Sequence, residues 1–394
     1  MKHVYLARWG LALAAASMPA VPLAAPADAL VLRSATAPPV PDEIPVALLV
    51  DLSSGQTLFA READRRFVPA SVTKVMTAYT AFRLIEQGKL SPETQVTISA
   101  EVAELWSGEG SSMFLEAGDR VTVGQLLLGI TTVSANDASV ALAMAATGSQ
   151  EAWLALMNEH AAELGMRDTH FGTPNGWPDE GRTYTSARDL AILGEALTTR
   201  YRGLYERYFG HRGMRYRNIA QDNHDPVTGV VEGADGMKTG FTRESGYNFL
   251  GSAERDGRRL VMIVAAAPSA SIRNSAARDL LRWGFESFES RVILPGELPV
   301  GRARVQNGAA GEVALRTAGK VRASIPQERT SEIELSIRYR GPIEAPIAEG
   351  QQVAFLRVEI PGQAPHDVPL VAAAPVARAN LVQRLRNGIV GLLT

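Results

Sequence analysis

Apolar and polar positions alternate with different periods along the chain and divide it into blocks. Val46 to Val50 is a continuous apolar run ending at Asp51; Ser53-Ser54-Gly55 supplies a turn, and Gln56 to Ala60 returns, which is the pattern of a β-hairpin. Val72, Val75, Met76 and Tyr79 then recur at three- and four-residue spacing, so the stretch from Pro69 to about Gly88 reads as an amphipathic helix with Ser71 in its first turn. A block beginning near Val123 carries Leu126, Leu127, Leu128, Ile130 and Val133, apolar almost all round, as a buried helix is. Further helical patterns cover Ala138 to Ala146, Glu151 to Leu164, and a segment capped by Ser186 with Asp189 three residues on. Residues 201–231 read as irregular. Two strand patterns, Tyr247 to Ala253 and Leu260 to Ala267, flank an Asp256-Gly257 turn, and a helix from Ser271 to Phe288 follows. Strands at both ends with helices between them imply an α/β (α+β) domain whose antiparallel sheet is completed by the distant N-terminal hairpin.

The pattern changes after Pro295-Gly296. Short alternating runs, among them Glu332 to Tyr339 and Val353 to Ile360, are separated by Gly and Pro turns, and no helical period appears, so residues 295–375 predict a small all-β domain. Residues 376–394 return to helical spacing, with Leu381, Leu385, Ile389 and Leu392 in one stripe and Arg378, Arg384 and Arg386 carrying positive charge. Such a helix lies on an anionic membrane surface or packs on its own protein; it is too short and too charged to span a bilayer. At the other end, Lys2 and Arg8 precede an uncharged Ala/Leu-rich run to Ala27, and Ala27-Asp28-Ala29 has the small-x-small form of a cleavage site. Residues 1–29 therefore read as a secretory signal peptide, leaving 30–294 as the main domain of a protein that works outside the cytoplasm.

Composition narrows the chemistry. A formal net charge of -2 gives no reason to expect nucleic acid as a partner. The absence of cysteine excludes disulfides, thiolate catalysis and a lipidated N-terminal cysteine. No His-Glu-x-x-His pair occurs among the six histidines, so neither a metal site nor a cofactor is expected.

Three fragments bear on chemistry. On the first helix Ser71 and Lys74, three residues apart, share one face; a serine hydroxyl is a poor nucleophile at neutral pH, and a lysine amine one turn away serves as its base once its proton is lost. Ser134 and Asn136 stand between two buried segments, where they are either helix caps or cleft residues. Lys238, Thr239 and Gly240 sit on or beside the first strand of the second meander.

Ser71-x-x-Lys74, Ser134-x-Asn136 and Lys238-Thr239-Gly240, in that order, resemble the motif set of the serine D-alanyl-D-alanine carboxypeptidases, the low-molecular-weight penicillin-binding proteins. The resemblance extends over about residues 40 to 290 and includes Gly110 to Phe114, Leu164 to Phe171 and Leu281 to Phe285. It implies a penicillin-binding/β-lactamase-like domain with a central antiparallel sheet and a helical cluster, followed by the β-rich domain and the amphipathic tail. It further implies Ser71 as acyl carrier, Lys74 as base, Ser134 as proton relay and Asn136 as a hydrogen-bonding partner of the substrate or of Lys74. Lys238, Thr239 and Arg273 bind the substrate's terminal carboxylate, and the backbone N–H groups of Ser71 and Phe241 form the oxyanion hole. The implied reaction is removal of the terminal D-alanine from peptidoglycan pentapeptides, with β-lactams as acylating inhibitors. The implied location is the periplasm, on the outer face of the inner membrane through the C-terminal helix. A D,D-endopeptidase shares the three motifs, though its members tend to lack the β-rich domain. A β-lactamase needs a deacylating Glu, and Glu180 stands in a loop without that motif. One departure is Asn223-His-Asp-Pro226, where some relatives carry a further arginine.

Overall fold

Alternate residues along the strands face opposite ways, and here both faces are covered. In the computed structural model, which describes residues 8–9, 37–327 and 332–380, β1 (Val46–Asp51) and β2 (Gln56–Arg61) form the N-terminal hairpin. β3 (Ala234–Thr242), β4 (Gly246–Arg255) and β5 (Arg258–Ala267) form the later meander. They make one five-stranded sheet in the order β2-β1-β5-β4-β3, with β1 antiparallel to β5 through Leu260–Asp51 to Ala265–Val46. The hairpin does complete the antiparallel sheet, as the strand pattern predicts.

One face of this sheet, with Leu48, Met237, Leu250, Val261 and Ile263, packs against a cluster of helices. These are α1 (Lys74–Glu86), α2 (Ala100–Trp106), α3 (Val123–Thr132), α4 (Asn136–Thr147), α5 (Gln150–Leu164), α6 (Ala187–Arg200) and α7 (Arg202–Tyr208). The opposite face, with Ala47, Leu49, Phe249, Leu260 and Met262, packs against Ala276, Ala277, Leu280 and Leu281 of α8 (Ala270–Glu286). The amphipathic expectation for α1 is corrected: Lys74 to Phe82 are all buried, because the helix runs through the middle of the core with no solvent face over that length. The irregular reading of 201–231 is also corrected. Its Tyr205 and Tyr208 are the buried side of α7, and a hairpin pairs Gly213–Tyr216 with Ile219–Asp222. Each of its strands is only four residues long, with no fully buried position, which leaves little period to read.

The chain divides into two compact units. One holds residues 37–53 and 57–286; the other takes in 54–56 and the described residues from 287 onward. The second unit is β-rich, with a core of Val313, Leu315, Ala323, Ile325, Leu356, Val358 and Leu370. Its strand Phe288–Leu294 pairs with Val321–Pro326, so the polypeptide leaves the first unit before the Pro295-Gly296 turn that marks the break in the sequence. Val376 to Asn380 are extended rather than helical: Val376 bridges Ile347, Arg378 bridges Gly308, and the Ala379 N–H donates to Asn307. The remainder of the expected tail helix lies outside the described residues, as does the expected signal peptide apart from Arg8 and Trp9. No helix among the described residues is long and apolar enough to cross a membrane.

Candidate active site

Ser71 stands in a 3-10 turn, Ala70–Thr73, and the α-helix proper begins only at Lys74. Ala70 has left-handed backbone, φ 50°. The first N–H groups of a helix have no intrahelical acceptor, so the Ser71 N–H is available. Three contacts press this turn into place. A Cβ on Gly176 would lie 1.9 Å from the Ala70 carbonyl oxygen, and one on Gly240 would lie 2.4 Å from the Pro69 carbonyl oxygen. The Asn248 amide donates to the carbonyls of Val68 and Pro69 at 3.1 and 3.4 Å.

Lys74 Nζ lies 2.8 Å from Ser71 Oγ and donates to the Asn175 carbonyl at 2.7 Å. Lys74 is 1% exposed. Burial first, and the nearby charge of Lys238 second, hold its pKa well below the ordinary lysine value, with Asp137 opposing them. A neutral amine that gives one N–H to a carbonyl keeps its lone pair for the serine hydroxyl, which is the arrangement a general base needs. The Asn175 carbonyl is itself anchored, since Thr77 of α1 donates to the adjacent Pro174 carbonyl.

Ser134 and Asn136 face a cleft; neither caps a helix. The N-cap of α4 is Ala135, without a side-chain bond, and both Ser134 and Asn136 line a cleft of about 800 Å³ together with Ser71. Ser134 reaches it from left-handed backbone, φ 63°. The Asn136 amide donates to the Glu109 carbonyl at 2.9 Å, which ties it to the Gly108–Ser112 loop rather than to Lys74. Asp137 builds this side of the cleft. Fully buried, it accepts from Ser112 Oγ at 2.7 Å and from the N–H groups of Met113, Leu115 and Ala138.

Thr239, Gly240, Phe241 and Arg273 line the opposite wall. Lys238 lies buried behind it, its Nζ on the Thr239 carbonyl at 2.9 Å. Burial and then the Arg273 charge bring Lys238 down to about 7, against Asp225. Burial likewise lowers Arg273 to about 10, against Asp225 and Tyr247. Arg273 is oriented by the carbonyl of Asn248 at 3.0 Å and by Asn274 Oδ1 at 2.7 Å. Asn223, His224 and Asp225 line the cleft where the sequence lacks the further arginine, and Glu180 does not line it. The structure thus brings Ser71, Lys74, Ser134, Asn136, Lys238, Thr239, Phe241 and Arg273 together around one cleft, with the two lysines beneath its surface. Asn175, Gly176, Asp137 and Asn248 escaped the motif reading. Their neighbours in sequence signal only a turn, a cap and a strand, and their partners are distant in the chain.

A buried lysine against a serine on a helical turn, facing a strand that ends in a cleft wall, defines an active-site-serine acyl-transfer enzyme. The family model "D-alanyl-D-alanine carboxypeptidase" matches residues 35–269, and "Penicillin-binding protein 5, C-terminal domain" matches residues 288–378. The chain is 34% identical over 348 residues to the D-alanyl-D-alanine carboxypeptidase DacD of Salmonella typhimurium, covering 86% of this chain and 88% of that protein. Among solved structures it resembles penicillin binding protein 5 from Haemophilus influenzae, with a TM-score of 0.75 and 31% identity over 87% of this chain and 99% of that one. It also resembles Penicillin-Binding Protein D2 from Listeria monocytogenes in its ampicillin-bound form, with a TM-score of 0.54 and 26% identity over 62% and 98%. The chain belongs to the D-alanyl-D-alanine carboxypeptidase family, the low-molecular-weight penicillin-binding proteins.

Proposed function

We propose that the protein is a serine-type D-alanyl-D-alanine carboxypeptidase that trims peptidoglycan pentapeptides and is acylated by β-lactams. The observation that carries this reading is the 2.8 Å pairing of Ser71 Oγ with a buried lysine whose pKa is held well below the ordinary value by burial and by the Lys238 charge. Neutral Lys74 takes the hydroxyl proton as Ser71 Oγ attacks the carbonyl between the two D-alanines. The oxyanion forms between the N–H groups of Ser71 and Phe241. Ser134 passes a proton to the departing D-alanine nitrogen as the C–N bond breaks, and water then hydrolyses the ester and restores Ser71. Thr239 and Arg273, with the Lys238 charge behind them, receive the terminal carboxylate, and Asn136 holds the peptide backbone. A β-lactam follows the same first step, its ring amide opening onto Ser71.

The protein would act in the periplasm, with residues 381–394 holding it on the outer face of the inner membrane. Deleting those residues should move it to the soluble fraction with unchanged peptide hydrolysis; a truncated protein that still sediments with membranes defeats the anchor. The central test is Ser71→Ala. Labelling by a fluorescent penicillin and release of D-alanine should both vanish, and survival of either refutes the assignment.

A further inference from the structure

Asn248 lies on β4 directly across from Gly240 of β3, 1% exposed and outside the cleft lining. Its amide is fully engaged. Nδ2 donates to the carbonyls of Val68 and Pro69, immediately before the Ser71 turn. Oδ1 accepts the N–H of Ala266 at 2.8 Å, a residue with φ 57° where the register of β4 and β5 shifts between Val264 and Ala267. Its main-chain carbonyl accepts from Arg273 Nη1 at 3.0 Å. The nucleophile turn, the sheet and the carboxylate-facing arginine of α8 therefore meet at one residue.

We propose that Asn248 is a positioning residue that sets the gap between the Ser71 turn and β3, and hence the separation of the two oxyanion N–H groups. This rests on the assignment of those donors to Ser71 and Phe241. Ser71 belongs to a turn and Phe241 to a sheet strand, so only packing relates them. Gly240 supplies the limit of closest approach: its α-carbon faces the Pro69 carbonyl with no room for a Cβ. A steric limit stops approach but does not prevent withdrawal. The Asn248 amide supplies the attraction, drawing the Val68 and Pro69 carbonyls toward β4. Misplacement of a reacting group by about 1 Å costs on the order of 10²-fold in rate. Asn248→Asp keeps the shape and the acceptor for Ala266, but turns an oxygen toward two carbonyl oxygens and pushes the turn away.

The test uses full-length Asn248→Asp and Asn248→Ser, with folding checked by thermal melting. Acylation by a fluorescent penicillin, kcat and KM for D-alanine release, and affinity for a peptide boronic acid that forms a tetrahedral adduct on Ser71 are measured. In Asn248→Asp, kcat and boronic-acid affinity should fall together by about 10²-fold while KM moves only a few-fold. Asn248→Ser, which keeps a shorter donor, should fall in between. If the Asp variant does not fold, the parallel loss in the Ser variant decides the matter. A folded variant with wild-type kcat, or a loss of kcat without matching loss of boronic-acid affinity, overturns the role of Asn248. Wild-type protein that takes up no penicillin overturns the functional reading itself.

Discussion

Gly176→Ala separates a steric clash from a backbone penalty at the heart of the site. Gly176 has φ +75°, and an added Cβ would lie 1.9 Å from the Ala70 carbonyl oxygen. Ordinary C···O contact begins near ~3.3 Å, so the loop must withdraw by roughly 1.4 Å. The preceding residue contributes the carbonyl that holds Lys74 Nζ at 2.7 Å. The same withdrawal carries that oxygen to about 4 Å, beyond hydrogen-bonding distance. Lys74 then loses an acceptor inside the core and its alignment on Ser71, and acylation should slow by about 10²-fold. The left-handed backbone adds about 1–2 kcal/mol of destabilisation by itself. Gly181→Ala is the matched control: φ is +79°, but nothing lies within 4 Å of the added Cβ. Gly181→Ala should lose only the backbone contribution in thermal melts, Gly176→Ala should lose more because the clash and the lost Lys74 acceptor add to it, and only Gly176→Ala should lose single-turnover acylation by fluorescent penicillin. Acylation by Gly176→Ala within about twofold of wild type, or equal loss in both variants, would refute the argument that the loop carbonyl aligns the base.

The remaining expectations concern charge. Lys238 has a pKa of about 7 when folded and an ordinary value of 10.5. Between these values the unfolded chain binds a proton that the folded chain lacks. Stability therefore rises with pH across that window, by at most about 1.4 kcal/mol per unit, and the penalty is complete below pH 7. Lys238→Met should flatten the rise in melting temperature, and an unchanged slope would disprove the burial effect. The same substitution removes a cation that lowers Lys74, so the acid limb of penicillin acylation should move to higher pH; a limb that stays or moves down contradicts the coupling. Asp137→Ala leaves the N–H groups of Met113, Leu115 and Ala138 without their acceptor, which should cost about 3 kcal/mol or more. Chemical denaturation showing less than about 1 kcal/mol would mean the loop finds other partners.

What could be read from the sequence was whatever depends on period and on short spacing. Ser71 and Lys74 lie one turn apart, and the hairpin, the buried α3 and the meander announce themselves by apolar pattern. The identity of the Lys74 acceptor could not be read, because Asn175 contributes a main-chain carbonyl, and every residue has one. Gly176 and Gly240 matter through side chains they lack, against turns remote in the chain. Ser134 and Asn136 read as either caps or cleft residues, because their types suit both; the cap position falls on Ala135 between them. α1 looked amphipathic because its interspersed Thr77 and Thr80 are polar, yet both are buried.

The pairing of β1 with β5 also sets an order of events. A ribosome delivers Ser71 and Lys74 long before β3, β5 and Arg273, and the sheet that backs the nucleophile turn can close only when those late strands arrive. Such distant pairing is slow to form. Until those strands dock, Ser71 and Lys74 lack the β3 wall and the Arg273 side of the cleft. A chain ended before Asn248 would hold all three motifs but lack most of β4 and all of β5, and it should show no reactivity toward penicillin.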